Sequence, residues 1–233
     1  MTRTRNLLLL IAALLAMLHL SATQAGERLS VAVEAAAYGK QAAWINAATK
    51  AAERQVGDTC VFYQVRGAAI ALGKSVPTEA RVREIANRVE AITAYGDVLA
   101  RLGMPGKYVG GAMGALLSGK LTPTAEAHAM IVGGVRASRV VIVALSAKPI
   151  YRYLSAQRQL DYTPPLVRPQ NHVVRVVAVR GGASIEQQMV VIYDTSGPDL
   201  VYELPMTVLM EGYNALSARA SRGVYVSDQT LAG

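Results

Sequence analysis

Cysteine occurs once in the 233 residues, at Cys60, and so do tryptophan (Trp44) and phenylalanine (Phe62). A single cysteine cannot close an internal disulfide, and it excludes every paired-cysteine zinc motif. Histidine occurs three times, at His19, His128 and His172, without HxxxH spacing. No ligand cluster for a metal is therefore read, and no glycine-rich phosphate loop follows a strand, so neither metal nor cofactor is expected. Acidic residues are the minority, 16 against 24 Lys and Arg, for a net charge of +8. The basic excess is spread thinly along the chain. That pattern fits solubility and weak attraction to anionic surfaces better than nucleic-acid binding. Long apolar runs are scarce too. Beyond residue 25 none reaches the roughly 20 residues a membrane-crossing helix needs, so no stable membrane insertion is expected of the mature chain.

What is present begins with residues 1–25, which read as a secretory signal peptide. Arg3 and Arg5 form a positive start, residues 7–20 an apolar segment, and residues 21–25 a small-residue cleavage region ending at Ala25. An uncleaved anchor is the alternative. The chain is expected to be exported, to the periplasm or beyond the cell, and residues 26–233 to form a single domain. A lone cysteine in that setting is a reactive thiol, an intermolecular bridge or an inert buried residue.

Periodicity supplies the elements. Residues 27–54 are alanine-rich with helical spacing, broken at Gly39, and Trp44 falls on this segment as a core or half-buried ring, or as a cleft wall. An apolar helix is expected to follow Cys60 up to Gly73, with Asp58 or Thr59 as its N-cap. Residues 78–92 form an amphipathic helix with Val82, Ile85, Val89 and Ile92 on one face. Shorter helices are expected at 95–103 and 124–131, the latter carrying His128 as a partly exposed residue. Residues 110–119 hold a GxxxG spacing suited to close helix packing. A buried strand covers 139–145. Residues 146–171 read as loop, rich in Tyr and Pro, with Tyr151, Tyr153 and Tyr162 as cleft-lining or core-edge rings and Pro164, Pro165 and Pro169 stiffening the approach to His172. Strands at 172–179 and 188–194 make a hairpin. A strand at 200–204, a helix at 205–214 and a possible strand at 224–226 complete the chain.

The chemistry-bearing residues fall at element ends. Cys60 opens a helix, where unpaired N–H groups and the helix dipole favour a thiolate. His172 opens one hairpin strand and Asp194 closes the other. Folding the hairpin about residue 183 sets them directly opposite, with Cβ atoms about 4.5–5.5 Å apart on one face. A thiol needs an imidazole to hold it as thiolate, and the imidazole needs an orienting acceptor. Cys60, His172 and Asp194 thus read as a nucleophile–base–acid triad. An oxyanion would be met by the Cys60 backbone N–H, with the Gln55 side-chain amide as the second donor.

This arrangement resembles the papain-like cysteine peptidases, and within them the compact bacterial group related to peptidases that process bacteriocin leaders. The resemblance rests on Gln55, Asp58-Thr59-Cys60 at the start of an apolar helix, the strand at 140–144, Asn171-His172 leading Val-Val-Arg-Val-Val, and Val-Ile-Tyr-Asp-Thr-Ser-Gly at 191–197. With the strand and helix at 200–209 it spans residues 50–215. It implies an α+β fold, with a helical subdomain that holds the cysteine packed on an antiparallel sheet. The implied activity is a thiol hydrolase, most simply a cysteine peptidase acting on a peptide or protein. An acyl transferase on the same triad, a catalytically silent binding scaffold and a purely structural envelope protein are the competing readings.

Overall fold

The computed structural model describes residues 33–50, 53, 55, 60–87, 95–110, 124–157, 171–196, 200–216 and 222–232. The expected signal segment, the expected caps at Asp58 and Thr59, most of the GxxxG stretch, Tyr162 and the three loop prolines lie outside the described residues.

The described chain is an α+β arrangement built on a six-stranded antiparallel sheet. A 3₁₀ segment, Ala35–Gln41, leads into α1 (Ala42–Lys50), and Gly39 breaks the run with φ 54°. Then come α2 (Cys60–Ala71), α3 (Glu79–Asn87), α4 (Tyr95–Arg101), β1 (Gly106–Gly110) and α5 (Thr124–Arg136). β2 (Arg139–Ser146) runs straight into α6 (Ala147–Ala156). β3 (Asn171–Gly181) and β4 (Gln188–Tyr193) form the hairpin, followed by β5 (Val201–Pro205), α7 (Met206–Ala215) and β6 (Gly223–Thr230). The strand order is β1-β6-β2-β3-β4-β5.

Helices cover both faces of the sheet. On one face Val141, Val143, Leu145, Val174 and Val176 meet α5, α6 and α7. On the other, Val140, Ile142, Val173 and Tyr225 meet α2, α3 and α4. Farther along that second face, Val177, Val191 and Tyr193 meet Tyr38 and α1. Double coverage explains why β2 and β3 read as continuous apolar runs instead of alternating ones: both pleat faces are core.

Two elements escape sequence reading. Residues 147–156, expected as loop, form α6. Its buried Ala147, Ile150, Tyr151 and Leu154 recur at helical spacing, and Pro149 sits in the first turn, where its missing N–H costs nothing. β1 is short and bounded by glycine, and its pairing with β6 is its support. Gly106 is required there because a Cβ would stand 2.4 Å from the Val226 carbonyl oxygen.

Beyond Val176, β3 has outrun its partner β2. Gln41 fills part of that gap. Its amide donates to the Val179 carbonyl at 3.1 Å and accepts from the Val179 N–H at 2.7 Å, so the side chain stands in for a strand.

Candidate functional site

Cys60 is the first residue of α2. It is half-buried and packs onto the same apolar cluster as Val65 and Val173. Two polar tethers set where this helix lies. Gln64, fully buried one turn on, donates from Nε2 to the Tyr193 carbonyl at 3.0 Å. Arg175 reaches from β3 to donate to the Gly67 carbonyl. Gln64 shares the Cys60 face of α2, at i+4, and its acceptor is the residue before Asp194. It positions the start of the helix against the end of β4. Sequence reasoning missed it, although one uncharged polar residue inside an apolar helical run was a readable sign.

His172 and Asp194 meet as expected, but by a different route. The hairpin register runs Gly181↔Gln188 to Ala178↔Val191, then Val176↔Ile192 and Arg175↔Tyr193. The break in that series is a bulge at Val177. Direct opposition of residues 172 and 194 is therefore corrected: continuing the register sets Asp194 level with Val174, diagonal to His172. The bulge matters because side chains level with each other share a face. Without the extra residue Asp194 would stand level with Arg175, whose side chain serves the α2 face, and would point away from His172. With it, Asp194 shares the face of Val174 and His172. Its Oδ1 lies 2.7 Å from His172 Nε2.

Burial and hydrogen bonding hold the carboxylate. Asp194 is 0% exposed and His172 6%. The Ser196 N–H donates to Asp194 Oδ1 at 2.8 Å, and the Asp194 N–H donates to the Leu200 carbonyl at 2.8 Å. Leu200 bends the chain at φ 65° to make that contact. Asp194 Oδ2 is buried and makes no hydrogen bond of ordinary geometry among the described residues. The Tyr151 hydroxyl of α6 lies close enough to add to the anion's stabilisation, and its ring centroid stands 6.1 Å from that of His172.

These contacts decide charge. Burial opposes protonation of His172. The Asp194 charge and hydrogen bond, with a smaller contribution from Cys60, outweigh it and raise the imidazole well above its usual range. Burial likewise pushes the Asp194 carboxyl up, but His172, the Ser196 N–H and Tyr151 together hold it below the usual carboxylate range. Burial, then the neighbouring carboxylate, raises the Tyr151 hydroxyl, which stays neutral and able to donate. Cys60 lies beside the imidazole, close enough for the sulfur to interact with it. Asp194 occupies Nε2, which leaves Nδ1 as the ring nitrogen for the thiol.

Gln55 is tied to the same corner. Its N–H donates to the Thr195 carbonyl at 2.9 Å and its Oε1 accepts from Thr195 Oγ1 at 2.7 Å. The residue expected to lie just before the cysteine is thereby anchored one position from Asp194.

The other described histidine stands apart. His128, on α5, bonds through Nε2 to Gln188 Oε1 at 2.7 Å, near the turn of the hairpin. Among the described residues no three His, Cys, Asp or Glu side chains gather to hold a metal ion, and no helix is long and apolar enough to cross a membrane. Comparison with protein-family models, with curated proteins and with solved structures finds no match.

Proposed function

We propose that the protein is an exported thiol hydrolase of the papain-like kind, a cysteine peptidase in which Cys60 is the nucleophile, His172 the acid–base and Asp194 the group that orients it. The observation that carries this reading is the buried His172, held through Nε2 by Asp194 and flanked by the one cysteine of the chain. The Cys60 thiolate adds to a peptide carbonyl carbon, and the carbonyl π pair moves to oxygen. The Cys60 backbone N–H and the Gln55 amide nitrogen meet that oxyanion; Thr195 keeps the Gln55 carbonyl end occupied. Imidazolium His172 then protonates the leaving amine as the C–N bond breaks, giving a thioester. Neutral His172 next takes a proton from water, which attacks the thioester, releases the acid and restores the thiolate. Asp194 keeps one ring orientation through both halves of the cycle.

The test is iodoacetamide alkylation of Cys60 against pH, in the wild-type protein and in His172→Ala. Fast labelling that persists below pH 7 and disappears in the variant is the expected result. Slow labelling, the same in both proteins, would remove the activated nucleophile and leave a silent binding scaffold as the better account. Turnover of a peptide library by the labelling-competent protein then separates hydrolysis from acyl transfer to an added amine.

A further inference from the structure

Tyr151 carries a buried hydroxyl to which the proposed cycle gives no task. It lies on α6 and is 7% exposed. β2 runs into α6 with no loop between them, and Leu145 and Ser146 at the end of β2 pair with His172 and Asn171. The helix therefore starts beside the base. α7 presses on that joint: a Cβ at Gly212 would stand 2.8 Å from the Ser146 carbonyl oxygen. Ile150, Tyr151 and Leu154 bury into the same cluster as Leu145 and Val174. That sets α6 over the face of the sheet that His172 and Asp194 share.

Two observations meet at this hydroxyl. The first is the uneven use of the Asp194 carboxylate. Its Oδ1 takes both His172 Nε2 and the Ser196 N–H, whereas Oδ2 is buried without a donor of ordinary geometry. Buried carboxylate oxygens normally have one. The second is the place of the ring. Its centroid stands 6.1 Å from that of His172, and its hydroxyl lies within reach of the Asp194 carboxylate and the Ser196 hydroxyl. Burial raises this hydroxyl, so it keeps its proton and can donate. Three titratable groups surround the imidazole: Asp194 from the end of β4, Cys60 from α2 and Tyr151 from α6, with Tyr202 of β5 near Tyr151.

We propose that Tyr151 is a positioning residue of this site: its O–H donates to Asp194 Oδ2 and draws off part of the carboxylate charge, which keeps His172 able to release its proton. The donor is present in both charge states of the ring. It is held more strongly when the ring is neutral, because the carboxylate charge is then uncompensated. Tyr151 therefore lowers the proton affinity that Asp194 confers on His172. The consequence for turnover rests on the thiol-hydrolase reading. There His172 protonates a leaving amine and later, as the neutral ring, takes a proton from water. An imidazole held too basic is slow at both steps.

Histidine-labelled protein is titrated by NMR, with His172 assigned by its absence in His172→Ala. In Tyr151→Phe the His172 titration should move up by about half a pH unit, about threefold in proton affinity. In an Asp194→Asn background the same substitution should move nothing, because the charge it acts on is gone. Lost packing alone would loosen the carboxylate and move His172 down. A downward shift, no shift, or an equal shift with and without Asp194 would overturn the proposal. So would a labelled Cζ signal of Tyr151 that stays still in the wild-type protein while His172 loses its proton. The chemical consequence is read with p-nitrophenyl acetate, which acetylates the Cys60 sulfur as p-nitrophenolate leaves. Hydrolysis of that thioester needs neutral His172 to take a proton from water. Tyr151→Phe should slow it about threefold at a pH below the His172 midpoint. Failure of the thioester to form would count against the thiol hydrolase, and the NMR titration would still decide the role of Tyr151.

Discussion

The β3–β4 hairpin carries a histidine contact at each end, and the two contacts have the same length. At the open end His172 meets Asp194 at 2.7 Å; at the turn end His128 meets Gln188 at 2.7 Å. The acceptors differ in charge. A carboxylate holds a proton on the ring it faces, whereas an amide oxygen orients the ring without bringing a charge. The surroundings differ too. The open-end pair is sealed between Tyr151 on one side and the Cys60 helix on the other. The turn-end pair fastens α5 to the hairpin, and Gln188 spends its amide nitrogen on the Gly182 carbonyl at 2.8 Å, within the turn. Hydrogen-bond length alone therefore says little about role. Acceptor charge, burial and a third group beside the ring distinguish the two contacts.

The sharpest way to break this contrast is to remove one member of each pair. Asp194→Ala leaves a buried imidazole without its counter-charge, and urea denaturation should show a loss of about 3–5 kcal/mol. His128→Ala should lose about 1 kcal/mol, the usual worth of a neutral hydrogen bond. Equal losses would abolish the distinction. Reactivity sharpens it next. At pH 6, His172→Ala should slow Cys60 alkylation by about two orders of magnitude, because an unassisted thiol is almost wholly protonated there. His128→Ala should leave the rate at the wild-type value.

The pH dependence of stability comes third. The native Asp194 value is depressed, so its contribution is complete above the unfolded carboxylate value of about 3.9 and is lost as pH falls through the native one. The native His172 value is raised, so its contribution is complete below about 6.5 and is lost as pH rises through the native one. The stability gap between wild type and Asp194→Asn should therefore be widest from about pH 4 to 6.5 and should close on both sides, with a slope approaching about 1.4 kcal/mol per pH unit. The smallest effect belongs to Ser196→Ala. Its hydroxyl lies 3.5 Å from His172 Nε2, at the edge of bonding distance, while its backbone N–H, which holds Asp194, is kept. Alkylation should change less than about twofold, which corresponds to under about 0.5 kcal/mol.

Much of the site was legible because it is built from scarce residues at element ends. The only cysteine begins a helix, and a histidine and an aspartate bound a hairpin whose apolar runs mark its strands. The register was not legible. Val176-Val177-Ala178 are three small apolar residues in a row, and nothing in them marks which one the partner strand skips. Because the expected and observed registers differ by an even step at Asp194, the shared face was anticipated although the partner residue was wrong. α6 was lost to its tyrosines and proline, which imitate loop composition while its buried positions keep helical spacing. β1 depends on β6, more than a hundred residues away, and no local pattern encodes that. Gln64 shows a further limit. Its role depends on the Tyr193 carbonyl, which exists as an acceptor at that place only after the sheet has formed.

The hairpin also sets a difference in closure entropy. His172 and Asp194 are 22 residues apart, so their meeting closes a short loop, whereas Cys60 joins them across more than a hundred residues. The longer closure costs about 1.4 kcal/mol more chain entropy, and it must wait for α2 to dock through Gln64 and Arg175. On chain entropy alone, the His172–Asp194 contact closes at lower cost than the one that brings in Cys60. A partial opening that lifted α2 from the sheet would part Cys60 from the imidazole and leave the His172–Asp194 contact in place.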